Sequence, residues 1–109
     1  LTLGDIPSPS TYLTVDPLTT EPYRSILREN TPGGPINAPL LISHGTGDTL
    51  IPYEGSEAEA ERRCAQGEVV QFARYPGVQH DAADESAIMT VGWIVDRFAG
   101  RPAPSTCSR

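Results

Sequence analysis

Residues 39–52 read Pro39-Leu-Leu-Ile-Ser-His-Gly-Thr-Gly-Asp-Thr-Leu-Ile-Pro52. Leu40 to Ser43 form a short, continuous apolar run, the pattern of a strand covered on both faces in a parallel sheet. Gly45, Gly47 and Asp48 end that strand in a tight loop. Everything downstream repeats the alternation of strand and helix. A helix is expected around Pro52 to Ala65, with Ser56 and Glu59 spaced as a capping box and Gly67 closing it. Glu68 to Tyr75 alternates Val69/Gln71 with Val70/Phe72 and reads as a second strand, broken by Pro76-Gly77. The last helix carries Ala87, Ile88, Val91, Ile94, Val95 and Phe98 at helical spacing. Asp81, Asp84 and Glu85 favour its start, and Arg97, Gly100 and Pro102 mark its end.

Upstream, Tyr23, Ile26 and Leu27 sit at i, i+3, i+4 after Pro22, and Asn30 with Pro32 stops that helix. Thr31-Pro-Gly-Gly-Pro35 is a loop. The order is α-β-α-β-α, which argues for an α/β fold with a short parallel sheet and right-handed crossovers. Two strands bury little and leave open edges, so the chain reads as a piece of a larger sheet. Three zones are expected: an irregular arm over 1–20, a periodic body over 21–100, and a polar tail over 101–109.

Composition narrows the function. The 109 residues carry a net charge of −6, which disfavours nucleic acid, since phosphate contacts need a basic face. The same charge disfavours an anionic membrane surface. No run approaches the roughly 20 apolar residues of a membrane span, so no transmembrane segment is expected. The chain opens at Leu1 without Met or a leader-like segment, and we expect a mature product or a fragment. Two cysteines cannot build a cysteine-based zinc finger.

Chemistry in an open parallel sheet gathers at the carboxyl ends of the strands. Two loops there carry suitable groups: Ser43-His44-Gly45-Thr46-Gly47-Asp48, and Gly77-Val78-Gln79-His80-Asp81. Parallel pairing brings Asp48 and His80 to the same end. A carboxylate beside an imidazole is the orienter and base of nucleophilic catalysis. A lone Asp in a glycine loop is otherwise a turn former, and a lone His after Pro-Gly a surface residue. His44 reads as a structural residue bonded to backbone, and Trp93 as a packing residue. A metal site from His44, Asp48, His80 and Asp81 lacks a compact two-His spacing, and no cofactor is expected.

The stretch from Pro39 to Pro52 resembles the acid-bearing strand and loop of α/β-hydrolases, and Tyr75-Pro-Gly-Val-Gln-His80 resembles their histidine loop. Arg63-Cys64-Ala65-Gln66-Gly67, the Gly92 to Gly100 helix end and the late Cys107 are similar to the C-terminal part of the secretory lipase family. The resemblance implies a partial α/β-hydrolase fold, with Asp48 as triad acid and His80 as triad base in the order acid before His. It implies a secreted lipase or carboxylesterase. No Gly-x-Ser-x-Gly occurs, so the nucleophilic serine is expected outside this chain, and the partner is expected to be the missing N-terminal part of the same enzyme. The substrate of the whole enzyme would be an ester or lipid. Cys64 and Cys107 are either two unrelated thiols or a disulfide pinning the tail, worth roughly 4 kcal/mol by chain entropy. We expect the disulfide. Two other functions compete: a non-catalytic interaction domain retaining a hydrolase half-fold, and the C-terminal piece of a prolyl-oligopeptidase-type peptidase.

Overall fold

The computed structural model describes residues 11–108, so the first ten residues of the expected arm, and Arg109, lie outside the described residues. The elements follow in the order α1 (Tyr23–Asn30), β1 (Leu40–Gly45), α2 (Tyr53–Ala65), β2 (Val70–Tyr75) and α3 (Ala82–Phe98). The α-β-α-β-α expectation holds. The two strands pair in parallel, from Leu40 beside Val70 to Gly45 beside Tyr75. Both strands therefore end level, and the loops that follow leave from one edge.

Period-two alternation decides the core. Val70 and Phe72 point to one face of the sheet, where α2 packs, and with Ala60 they form the buried cluster. Leu40, Ile42, Tyr53 and the two cysteines close around it. Tyr53 stacks on Phe72 with ring centroids 5.6 Å apart. Cys64 and Cys107 are joined by a disulfide, with Cα atoms 5.4 Å apart. The tail it anchors lies along the outer edge of β2. The Thr106 N–H donates to Val70 O at 2.8 Å, and the Phe72 N–H donates to Thr106 Oγ1 at 2.9 Å.

Two local expectations change, and one apolar face stands uncovered. The second strand starts at Val70 rather than Glu68, because Glu68 is drawn back to the buried Arg63 and accepts the Ile36 N–H. The capping box does not form. Pro52 starts α2 with no side-chain cap, Glu59 pairs with Arg62 and Arg63, and the Ser56 hydroxyl faces His44. The apolar stripe of α3 is helical as expected but uncovered. Ile88 is 90% exposed and Phe98 91% exposed, while Ala82 and Ser86 are buried.

Candidate active site

The loops after β1 and β2 are joined backbone to backbone. The Thr46 N–H donates to Tyr75 O and the Gly47 N–H to Val78 O, each at 3.0 Å, while the Gly77 N–H donates to Thr46 Oγ1 at 2.9 Å. Glycine is required at the contact. A Cβ on Gly45 would collide with Val78 O and lie 2.7 Å from Gln79 O, and one on Gly47 would lie 2.8 Å from Gly77 O. This close approach carries Asp48 and His80 toward each other across two loops.

Asp48 Oδ1 accepts the N–H groups of Leu50 and Ile51, both at 2.8 Å, in a turn that orients the carboxylate. Its Oδ2 lies 2.9 Å from His80 Nδ1. The two side chains differ sharply in exposure: Asp48 is 4% exposed and His80 57%. Burial by itself raises the Asp48 pKa. The Ile51 N–H, the His80 imidazole and the Leu50 N–H outweigh it and hold the carboxyl far below its ordinary value. An ionised, oriented acid thus backs a solvent-facing imidazole. With Nδ1 engaged by the carboxylate, Nε2 is the ring nitrogen left to serve a nucleophile.

The pair opens onto a cleft of about 440 Å³ lined by Leu41, Ser43, His44, Ile51, Ser86 and Thr90, among others. Ser43 lines this cleft from within β1, and among the described residues it makes no hydrogen bond to His80. The Val78 carbonyl accepts the Gly47 N–H and lies close against Gly45, and Val78 does not line the cleft. Asp81 immediately precedes α3 and makes no side-chain cap. Trp93 packs under the Arg97 guanidinium, 4.9 Å from its ring centroid. Among the described residues no cluster of His, Cys, Asp or Glu could hold a metal ion, and no helix is long and apolar enough to cross a membrane.

His44 departs from its reading. It is 7% exposed and its Nδ1 sits 2.6 Å from Ser56 Oγ, a side chain rather than backbone. Its Nε2 is 3.2 Å from Asp48 Oδ2. The only trace of this contact in the sequence is the i, i+4 spacing of His44 and Asp48. The capping-box spacing to Glu59 points Ser56 toward the α2 backbone instead of toward His44.

The family model described as secretory lipase matches residues 16–106. A secreted triacylglycerol lipase of Malassezia globosa is 32% identical over 74 residues, 65% of this chain and 16% of that lipase. A lipase of Candida albicans is 36% identical over 73 residues, again 65% of this chain and 16% of the relative. A carboxylesterase of Arabidopsis thaliana is 29% identical over 86 residues, 79% of this chain and 37% of the relative. The match thus spans between about a sixth and somewhat over a third of the length of these relatives.

Proposed function

Because this chain belongs to the secretory lipase family, we propose that it is the C-terminal segment of a secreted serine hydrolase acting on carboxylic esters. Residues 21–100 are its α/β-hydrolase body, 1–20 an arm, and 101–109 a tail tied down at Cys107. Asp48 and His80 are two members of a triad whose serine, oxyanion donors and acyl pocket come from the rest of the enzyme, the partner of this segment. The serine attacks the ester carbonyl while His80 Nε2 takes its proton, then returns it to the leaving alcohol. Asp48 holds the Nδ1–H tautomer and offsets the imidazolium charge. Water repeats the sequence on the acyl-enzyme.

The observation that carries this reading is the buried Asp48 carboxylate 2.9 Å from the exposed His80 ring. A turn former would not need a buried carboxylate, and a surface histidine would not need an oriented acid. The lipase and carboxylesterase relatives favour an ester over a peptide substrate.

The test uses the full-length protein that carries this segment, assayed on p-nitrophenyl esters of increasing chain length and on peptide amides. Ester turnover should fall about 10³- to 10⁴-fold or more in His80→Ala and in Asp48→Asn. Undiminished turnover in both variants, or a preference for amides, overturns the proposal. The isolated 109 residues should hydrolyse no ester.

A further inference from the structure

The proposed triad uses one imidazole, yet two reach the same carboxylate oxygen. His44, near the end of β1, places Nε2 3.2 Å from Asp48 Oδ2, opposite His80 Nδ1 at 2.9 Å. Its side chain is 8% exposed, and its ring meets Tyr53 edge-on at 5.7 Å. On the far side of the ring, Nδ1 lies 2.6 Å from Ser56 Oγ in the first turn of α2. We infer that His44 is a positioning residue for Asp48, held by Ser56 in the tautomer that turns an N–H toward the carboxylate.

The two neutral tautomers are not equivalent here. If the Ser56 hydroxyl donates to Nδ1, the proton sits on Nε2 and faces Oδ2. If Nδ1 carries the proton, the Nε2 lone pair faces an ionised carboxylate at 3.2 Å with water excluded. That juxtaposition is repulsive, and low local polarity makes it more so. The Nε2–H is not aligned for a linear hydrogen bond, and it is a buried polar atom with no aligned partner among the described residues. The Asp48 carboxylate is therefore its electrostatic partner.

The consequence is an acid held at both oxygens, by three hydrogen bonds and by the electrostatic contact of His44. A carboxylate offers about four acceptor sites. On Oδ1 two are taken by the Leu50 and Ile51 amides. On Oδ2 two imidazole nitrogens converge. Neither rotation about the Cβ–Cγ bond nor withdrawal of the loop is then free. Ser56 couples this to α2, so β1, α2 and both loops share one polar chain running from Ser56 through His44 and Asp48 to His80.

This inference rests on the triad reading, and the experiment separates the two. In the full-length protein, His44→Phe keeps a ring against Tyr53 but removes the N–H, while His44→Gln returns an amide donor near the place of Nε2. His44→Phe should lower kcat about 10- to 100-fold with KM unchanged, the scale of a misplaced acid. His44→Gln should recover most of that loss. Selective ¹⁵N labelling of the histidines should show His44 with a bare Nδ1 and a protonated Nε2, and Ser56→Ala should mix the tautomers. If His44→Phe fails to fold, the wild-type and Ser56→Ala spectra decide. Wild-type kcat in His44→Phe, an equal loss in the Phe and Gln variants, or a protonated Nδ1 in the wild-type spectrum overturns the inference. Full turnover in Asp48→Asn and His80→Ala would instead overturn the triad.

Discussion

At the scale of single residues, Asp48 shows how a buried charge is kept. Its burial penalty is outweighed by backbone N–H groups and an imidazole, so its folded pKa lies far below the ordinary carboxylate value. The sign of the pH dependence follows from linkage. As pH falls, Asp48 in the unfolded chain takes up its proton first, so unfolding is coupled to proton uptake. The stabilisation is complete above the unfolded pKa and is lost as pH drops toward the folded one. Urea midpoints should therefore fall from pH 5 to pH 3, and Asp48→Asn should flatten that slope. An unchanged slope in the variant would contradict this account. Gly45 is the other decisive residue. An added methyl meets the carbonyls of Val78 and Gln79, backbone atoms that cannot swing aside. Gly45→Ala should cost about 1–3 kcal/mol in denaturant unfolding and separate Asp48 from His80.

At the scale of elements, the tail behaves as an edge guard. A strand with an unpaired edge invites association, and Thr106 covers part of the β2 edge with one backbone and two side-chain hydrogen bonds. Thr106→Val keeps the shape but leaves the Phe72 N–H without its acceptor. It should destabilise the fold by about 1–3 kcal/mol. Reducing the Cys64–Cys107 bond should cost more, roughly 4 kcal/mol, seen as a lower midpoint in reductant. Glu59 shows why the capping box does not form. Its spacing from Ser56 fits a cap, but two arginines later in α2 draw Glu59 away. Arg62 first and Arg63 second bring its pKa down to about 2. Arg63 also donates to Gly34 O, so it ties the 31–35 loop to α2. Side chains this long choose partners by tertiary position, which local spacing does not contain.

At the scale of the whole molecule, the chain is spread out. Its radius of gyration is 17.0 Å, whereas a compact domain of about 109 residues has roughly 13 Å. The uncovered stripe of α3 fits that shape: Ile88, Val91, Ile94, Val95 and Phe98 all face outward. Exposed apolar area on this scale marks an interaction surface. Under the proposal that the rest of the enzyme covers it, the isolated segment should bind a hydrophobic dye and self-associate. The full-length protein should do neither. A dye-silent, monomeric segment at high concentration would remove the need for a covering partner. Charging the stripe with Ile88→Lys should be harmless in the isolated segment and damaging in the full-length protein.

Strand, helix and loop order was legible from the sequence because each rests on short-range physics: apolar periodicity, glycine and proline punctuation, and strands that must end where their loops begin. So were Asp48 and His80 as neighbours, since parallel pairing alone sends both loops to one edge. Three outcomes needed the tertiary structure. His44 found Ser56 and Asp48, Thr106 found the β2 edge, and the stripe of α3 found no cover among the described residues. Each depends on groups far apart in the chain meeting, or failing to meet, in space. A linear pattern records that a side chain is apolar or can hydrogen-bond, but packing decides what it touches.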